Sequence, residues 1–235
     1  MSGVLYPRAM AAILCFDFDD TILLENSTRL VFERFAAGEW RALEADYHAG
    51  KLTVEQFNIA AFDLIEATPE DLAAAIVEDV HVRNGFLELL DWATWNDWQP
   101  VVVSNGFDFA LNAVLDSLGL YRIARHAGRT RFAYRWRVRY DSPRGVEIED
   151  GFKLSFASAF KNAGDCVVYF GDGASDIPAA RLAQAVFARD TLLERLAGHN
   201  RPVFPFETFH DAVAVLDKEA RGWLESFSST TAAGA

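Results

Sequence analysis

Short apolar runs alternate along the chain with longer segments of helical periodicity. Runs of four to six mostly apolar residues predict buried strands at 13–17, 100–104, 166–171 and 185–188. Apolar positions three and four residues apart predict helices at 85–95, 107–118, 153–162, 174–183 and 191–197. Strands that alternate with helices in this way form parallel sheets covered on both faces. We therefore predict the α/β class, with a doubly wound, mostly parallel, Rossmann-like sheet.

A long segment between the first two predicted strands departs from this alternation. It contains four stretches with helical periodicity, at 29–37, 40–48, 54–66 and 69–79. Thr53 and Thr68 precede two of these stretches and suit N-cap positions, and Pro69 suits a first helical position. We therefore predict a core formed by residues 1–24 and 83–235, and an inserted all-helical cap formed by residues 25–82. The cap should lie above the carboxyl edge of the sheet.

Composition and charge argue against several classes of partner. The 235 residues are 51% hydrophobic and 24% charged, and the formal net charge is −12. We do not expect such an acidic chain to bind nucleic acid or anionic membranes, and no apolar run is long enough to span a membrane. The first ten residues lack the pattern of a signal peptide. Cys15 and Cys166 lie in strand-like runs as buried thiols, so we expect a cytoplasmic protein, whose oligomeric state stays open.

One segment concentrates positive charge in this acidic chain. Eight of the 22 basic residues fall between Arg122 and Arg144. Between 131 and 140, arginine or alanine alternates with an apolar residue, and this period of two predicts a half-exposed strand of an antiparallel hairpin. The charged face is either an ordinary solvated surface or a rim that attracts an anionic substrate or partner.

Carboxylates follow two of the predicted strands. Asp17 and Asp19 are two residues apart in extended chain, so their side chains leave the same face at the carboxyl edge of the sheet. Asp172, which lies between two glycines after a later strand, and Asp176 would reach the same edge. Carboxylates this close repel each other unless a cation or a shared proton neutralises them. The pattern predicts a Mg²⁺ site, although turn formation and helix capping also explain Asp172 and Asp176.

Two further polar residues lie where predicted elements begin or end. Ser104 ends the second predicted strand and Gly106 follows as a turn glycine before a helix that begins near Phe107; the hydroxyl and the free amides at that helix start would suit a phosphoryl oxygen. Lys153 begins a predicted helix and is one of only four lysines in the chain. Neither residue alone is strong evidence for a phosphate site, because strand–serine–glycine–helix turns and solvated surface lysines are common.

Together these residues resemble the four ordered motifs of the haloacid dehalogenase (HAD) superfamily. The matching residues are Asp17-x-Asp19-x-Thr21, Ser104, Lys153 and Gly171-Asp172-Gly173-x-x-Asp176. The segment 25–82 resembles the helical cap of the phosphoserine-phosphatase-like branch. The resemblance implies a Mg²⁺-dependent phosphomonoesterase that works through an aspartyl-phosphate intermediate.

The resemblance also implies a role for each matched residue. Asp17 would be the nucleophile, and Asp19 would be the general acid and then the general base. Hydrogen bonds from Thr21 and Ser104 and the charge of Lys153 would stabilise the phosphoryl oxygens. The implied Mg²⁺ ligands are Asp17, the backbone carbonyl of Asp19, and Asp172. Asp176 would support the ion through a water molecule or by orienting Asp172.

A narrower resemblance covers more of the chain. Residues 17–26, 38–40, 83–86, 186–190 and 205–209 resemble 2-hydroxy-3-keto-5-methylthiopentenyl-1-phosphate phosphatases of methionine salvage. Residues 25–27 and 171–174 are also similar to phosphoethanolamine/phosphocholine phosphatases. The substrate implied is a small phosphorylated metabolite. One residue departs from the methionine-salvage pattern: Asn105 stands where those enzymes more often have a second glycine after the serine.

Residues close to the matched motifs are the candidates for substrate binding. Asn26, rather than a glutamate, stands nine residues after Asp17, which argues against a phosphoserine-type substrate. A phosphate-ligand binding protein on the same scaffold, or an interaction module that uses the arginine-rich segment, stays an alternative. The candidate substrate-binding residues are Glu25, Asn26, Arg29, Asn105 and Gly106.

Overall fold

The computed structural model describes residues 10–233, which fold around one eight-stranded sheet. Its strands are β1 Ala12–Phe16, β2 Trp98–Phe107, β3 Ala124–Ala133, β4 Arg135–Asp141, β5 Glu147–Ile148, β6 Cys166–Gly171, β7 Ala185–Ala188 and β8 Val203–Pro205. Their order is β5-β4-β3-β2-β1-β6-β7-β8, with antiparallel pairing at β3–β4 and β4–β5 and parallel pairing elsewhere. This confirms the predicted α/β class. Residues 1–9, which carry most of the signal-peptide argument, lie outside the described residues.

The strand predictions are most accurate for buried strands. β6 and β7 have the predicted bounds, and β1 is displaced by one residue. β2 is longer than predicted and includes Gly106, so this glycine lies in a strand and not in a turn, and the next helix begins at Asp108. The pairing of β2 with β3 shifts register between Val103 and Phe107.

Helices cover both faces of the sheet, and four more helices occupy the segment 25–82, which we call the cap. The cap helices are α1 Ser27–Phe35, α2 Trp40–His48, α3 Val54–Phe62 and α4 Pro69–Asp79. The core helices are α5 Phe86–Trp95, α6 Asp108–Ser117, α7 Phe152–Asn162, α8 Ile177–Ala180, α9 Asp190–Arg195 and α10 Phe209–Ala233. Leu14 and Phe16 of β1 lie in one hydrophobic cluster and Ile13 and Cys15 in another, so both sheet faces are buried. No helix among the described residues is both long and apolar enough to cross a bilayer.

The helix starts within the cap follow the predicted capping pattern. The hydroxyls of Thr53 and Thr68 accept hydrogen bonds from the backbone N–H groups of Gln56 and Asp71. The side chains of Gln56 and Asp71 accept in return from the N–H groups of the two threonines, which completes a capping box at each helix. These boxes fix where α3 and α4 begin.

The chain enters and leaves the cap through one narrow neck. Leu23 and Val82 form an antiparallel bridge, and the Arg83 N–H donates to the Ile22 carbonyl at 2.8 Å. The Arg83 guanidinium is buried and donates to the carbonyls of Asp20, Thr21, Leu23 and Glu207. We propose this neck as the boundary between core and cap.

The arginine-rich segment is a hairpin formed by β3 and β4. The chain reverses at Tyr134, which has a φ of +65° and is fully exposed. On the inner face, the Trp136 Nε1–H donates to the Ala67 carbonyl of the cap at 2.9 Å, and its ring lies 5.1 Å from that of Phe62. The hairpin therefore supports the cap from one side.

Candidate active site

Three carboxylates meet where β1 and β6 end. The two strands pair in parallel, and the Asp17 N–H extends their ladder by donating to the Phe170 carbonyl at 2.9 Å. Asp17 and Asp172 therefore follow their strands at the same edge of the sheet. Carboxylate oxygens of Asp17, Asp172 and Asp176 lie within 4.8 Å of one another. The topology thus brings together the acidic side chains that sequence reasoning assigns to Mg²⁺.

A buried lysine lies among these carboxylates. Lys153 is the second residue of α7 and is only 4% exposed. Its Nζ lies 2.8 Å from Asp17 Oδ1 and 2.7 Å from Asp176 Oδ1. Burial alone would lower the pKa of Lys153, but the two carboxylates raise it above its usual value. Lys153 is therefore a permanent positive charge beside Asp17.

Asp176 orients the loop after β6. Its Oδ2 accepts hydrogen bonds from the N–H groups of Asp172 and Gly173 at 3.2 and 2.9 Å. Its Oδ1 accepts from the Tyr169 hydroxyl at 2.7 Å, in addition to the lysine. A Cβ on Gly171 would lie 2.7 Å from Asp176 Cγ, so the close approach requires glycine there. Asp176 thus presents Asp172 to the site.

The N-terminus of cap helix α1 holds Asp19. Asp19 Oδ1 accepts from the N–H and the hydroxyl of Ser27 at 2.9 and 2.5 Å, and Oδ2 accepts from the Thr28 hydroxyl at 3.0 Å. Burial raises the pKa of Asp19, and the hydrogen bonds from Ser27 and Thr28 oppose that rise. Asp19 is therefore fixed in orientation and holds a proton more readily than an exposed aspartate.

The carboxylate cluster carries more negative charge than Lys153 offsets. Burial and the neighbouring Asp176 raise the pKa of Asp17, and Lys153 opposes the rise. Burial, followed by the charge of Asp176, also raises the pKa of Asp172 to about 6. Raised values for two adjacent carboxyls indicate a site that a further cation would stabilise in its ionised form.

The loop after β1 and the last residues of β2 complete the polar floor. The Ser104 Oγ accepts from the Gly106 N–H at 2.9 Å. A Cβ on Gly106 would lie 3.2 Å from Asp19 Oδ2, so this position leaves little room for a side chain. Thr21 donates its hydroxyl hydrogen to Asp172 Oδ1 at 2.9 Å. Among the described residues, the lining of the cavity above the site includes Ser104 but not Thr21, which is fully buried.

This cavity has a volume of about 560 Å³ and lies between the core and the cap. The core contributes mainly charged and polar groups, including Asp17, Asp19, Ser104, Lys153 and Asp172. The cap contributes the aromatic side chains of Phe32, Trp40, Tyr47 and Phe57, and the polar side chains of Arg29, Glu44, His48 and Asn58. A ligand here would meet charges from the sheet and aromatic rings from the cap.

Four of the five candidate substrate-binding residues line the cavity. Asn26 caps α1 by accepting from the Arg29 N–H at 2.9 Å, and Arg29 forms an ion pair of 2.5 Å with Glu44. Glu25 instead binds the N–H and Nδ1 of His81, and the lining formed by residues 10–233 does not include it. The four residues in the wall are Asn26, Arg29, Asn105 and Gly106.

Sequence reasoning misses several cap residues that contact the site. Ser27 and Thr28 directly follow the capping Asn26. Two hydroxyls beside the free amides of a helix start are a sequence signal for a site that binds an anionic group such as the Asp19 carboxylate. Glu44, Tyr47 and His48 are three and four residues apart in α2, which places them on one helix face. That spacing could identify the face that looks into the cavity, but only once the orientation of α2 is known.

The fold and site define an α/β protein with a Rossmann-like sheet, an acidic and lysine-containing site at its carboxyl edge, and a helical cover. The model of the haloacid dehalogenase-like hydrolase family matches residues 14–181. The chain belongs to this family, as its four motifs predict.

Relatives with similar sequences extend over nearly the whole chain. A 2-hydroxy-3-keto-5-methylthiopentenyl-1-phosphate phosphatase from Bacillus pumilus is 27% identical over 223 residues, which cover 90% of this chain and 94% of the relative. A protein of the same name from Bacillus thuringiensis subsp. konkukian is 28% identical over 205 residues, which cover 85% of this chain and 93% of the relative.

Solved structures show the same fold. A phospho-aspartyl intermediate analogue of phosphoserine phosphatase has a TM-score of 0.66 at 21% identity and covers 88% of this chain and 99% of its own. Phosphoserine phosphatase from T. onnurineus has a TM-score of 0.65 at 16% identity, and the match covers 92% of this chain and 99% of that structure's chain. These likenesses confirm the predicted fold.

Proposed function

We propose that this protein is a Mg²⁺-dependent phosphomonoesterase that forms an aspartyl-phosphate on Asp17. The observation that carries the proposal is the 2.8 Å ion pair of Asp17 with Lys153 in a cavity that Asp19 also lines. A nucleophile, a proton donor and a fixed positive charge within one cavity suit phosphoryl transfer. A protein that only bound phosphate would need neither the nucleophile nor the proton donor.

The donor set fits Mg²⁺. Asp17 and Asp172 offer hard carboxylate oxygens. Burial and then the charge of Asp176 raise the pKa of both, and a divalent cation would favour their ionised forms. These two residues and the Asp19 carbonyl would hold the ion, with Asp176 fixing Asp172 from behind. When bound, Mg²⁺ would supply positive charge that orients the phosphoryl group and offsets its charge.

The residues of the chain divide the reaction into two displacements. An Asp17 carboxylate oxygen attacks phosphorus while the bond to the leaving oxygen breaks, and Asp19 gives that oxygen its proton. Asp19 then takes a proton from water, whose oxygen attacks phosphorus and releases Asp17 and inorganic phosphate. Lys153 offsets charge on Asp17 and the phosphoryl oxygens throughout, and Ser104 adds a hydrogen bond.

For the substrate, we propose the methionine-salvage enol phosphate as the first candidate. Relatives that cover 85% to 90% of the chain carry the name of that phosphatase. The aromatic rings of Phe32, Trp40 and Phe57 in the cavity wall suit the apolar methylthio end of such a molecule.

A second candidate class is an amino-alcohol or amino-acid phosphate. The ion pair of Arg29 with Glu44 in the cavity wall favours it, because an ammonium and a carboxylate on a substrate could replace the two partners. Phosphoserine, phosphoethanolamine and phosphocholine represent this class.

Hydrolysis of p-nitrophenyl phosphate with Mg²⁺ or with EDTA tests the reaction. We expect turnover with Mg²⁺, loss of turnover with EDTA, and loss with Asp17→Asn. Asp46→Asn changes a half-exposed aspartate of the cap that pairs with Lys51, and serves as the control that should keep full activity. Turnover that resists EDTA, or an Asp17→Asn variant as active as wild type, would contradict the proposal.

A panel of phosphometabolites tests the substrate. We expect the highest kcat/KM with the methionine-salvage enol phosphate, and lower values with phosphoethanolamine, phosphocholine and phosphoserine. A preference for an amine-bearing phosphate would favour the second class. Tight binding across the panel without turnover would instead revive the binding-protein alternative.

We also propose that residues 25–82 act as a cap over a core of residues 1–24 and 83–235, in a cytoplasmic enzyme. The neck between Leu23 and Val82 supports these bounds. Cys15 and Cys166 are free and buried, which is compatible with a reducing compartment.

A further inference from the structure

One buried glutamate of the cap has no part in the reaction described above. Glu55 is the second residue of α3 and is 1% exposed. Its Oε1 accepts hydrogen bonds from the Asn105 side-chain amide at 2.9 Å and from the Phe152 N–H at 2.8 Å. Its Oε2 is buried and has no hydrogen-bond partner among residues 10–233. A half-satisfied buried carboxylate costs free energy, so stability alone does not explain this residue.

The two donors belong to two separate parts of the site. Asn105 directly follows Ser104 in β2, and Phe152 directly precedes Lys153 at the start of α7. The N-cap residue of α7 is Gly151, which has no side chain to satisfy the first amides of the helix. Glu55 therefore caps, from a distant part of the chain, the helix that carries Lys153.

A second cap residue reinforces the contact at Asn105. The Asn58 Nδ2 donates to the Asn105 carbonyl at 2.7 Å, and the hydroxyl of Tyr140 donates to the same carbonyl. Asn58 and Tyr140 are also hydrogen-bonded to each other at 3.0 Å. Helix α3 thus holds both the side chain and the backbone of Asn105, through polar groups that are all buried.

We propose that Glu55 is a positioning residue that couples the seating of the cap to the alignment of Ser104 and Lys153. The inference rests on the proposed phosphatase function. With α3 seated, one carboxylate oxygen anchors Asn105 beside Ser104 and Phe152 beside Lys153. If α3 lifts, both anchors are lost together, and the two groups that meet the phosphoryl oxygens lose their common support.

The contact with Glu55 requires the side-chain amide of Asn105. Glycine has no side-chain amide and would leave Glu55 with Phe152 alone. Asn105 therefore extends the anchor from α7 to β2, so that this chain ties both elements to its cap.

Steady-state kinetics of three variants test the proposal. We expect Glu55→Ala to lower kcat by about 10- to 100-fold, because small misplacements of catalytic groups have effects of that size, and to change KM by less than about threefold. Glu55→Gln should recover most of kcat, since its Oε1 can accept both hydrogen bonds. Gln56→Ala, the control, removes the side-chain half of the capping box at the start of the same helix and keeps the Thr53 cap on the backbone N–H of residue 56. It touches neither Asn105 nor Phe152 and should keep kcat.

Unchanged kcat in Glu55→Ala, or Glu55→Gln as impaired as Glu55→Ala, would overturn the proposal while leaving the phosphatase function intact. If Glu55→Ala does not fold, Asn105→Gly replaces it: losing one of the two anchored donors should lower kcat by a smaller factor, and an unchanged kcat there overturns the proposal.

Hydrogen exchange gives a readout that does not need activity. Glu55→Ala should speed amide exchange at the start of α7, around Phe152, and in the segment 105–108, whereas Gln56→Ala should not. If the wild-type protein hydrolyses no phosphate ester, the proposed function fails. Unchanged exchange in Glu55→Ala would then independently refute the coupling.

Discussion

Replacing Lys153 by methionine removes the positive charge from the carboxylate cluster and keeps the length of the side chain. In the wild-type protein, Lys153 Nζ lies within 2.8 Å of both Asp17 and Asp176 and is 4% exposed. Breaking a buried ion pair by removing one partner costs about 3–5 kcal/mol, because the other charge stays buried without compensation. We therefore expect the free energy of unfolding of Lys153→Met to be lower than that of wild type by about that amount at pH 8.

The loss should depend on pH. Asp17 and Asp172 already have pKa values above those of exposed carboxyls, and removal of Lys153 raises them further. The folded variant therefore binds more protons than the unfolded chain at pH 5, and its stability falls as the pH rises through the folded pKa values. We expect the loss in free energy of unfolding, Lys153→Met against wild type, to be smaller at pH 5 than at pH 8. The two losses should differ by at least about 1.4 kcal/mol, which corresponds to a shift of one pKa unit.

Urea unfolding between pH 5 and pH 8, followed by tryptophan fluorescence in EDTA, measures this loss without a bound cation. Lys161→Met, which changes an exposed lysine at the other end of α7, is the control and should stay within about 0.5 kcal/mol of wild type. A Lys153→Met variant as stable as this control at pH 8, or a loss that is equal at both pH values, would refute the electrostatic reasoning.

Two other substitutions test single contacts of the site. Gly171→Ala should lower the free energy of unfolding, measured in urea, by more than about 2 kcal/mol, because its Cβ would lie 2.7 Å from Asp176 Cγ. The control is Gly222→Ala in α10, where the Cβ would meet open space and the free energy of unfolding should rise by up to about 1 kcal/mol. A harmless Gly171→Ala would show that the approach of Asp176 is not tight. Ser27→Ala removes a 2.5 Å hydrogen bond to Asp19, and we expect kcat with p-nitrophenyl phosphate to fall about tenfold, in line with the 1.5–3 kcal/mol typical of bonds to charged groups. An unchanged kcat would mean that Thr28 and the helix amide suffice.

The charged floor of the site follows from local sequence, because each of its residues lies at the end or start of a strongly patterned element. A run of six buried residues such as β6 leaves little freedom about where Asp172 emerges. Parallel pairing with β1 then places Asp17 beside it. Periodicity and turn signals are therefore enough to bring Asp17 and Asp172 together, whereas Ser104 and Lys153 are assigned to the site only through their resemblance to the family motifs.

The cap side of the cavity depends on tertiary contacts that local sequence does not carry. Glu55 looks like an ordinary charged residue in the first turn of a helix, and only the packing of α3 against β2 and α7 buries it. The hairpin reversal at Tyr134 is hidden for another reason. Tyr134 has a φ of +65° but is not one of the residues that usually mark a tight turn. The alternation of 131–140 therefore continues through the turn and gives no sign of it.

The bridge at the neck has a consequence for how the chain folds. β1 has no sequence-local partner: Ala12 pairs with Trp98 on one side and Cys166 on the other. Long loops must therefore close before the central strand gains its pairings, and such contacts slow folding. If α1–α4 form early and Leu23 joins Val82, the intervening residues no longer count as free loop, and β2 reaches β1 over a much shorter effective distance. The insertion that covers the site would then also be a folding aid, which brings the two halves of the sheet together.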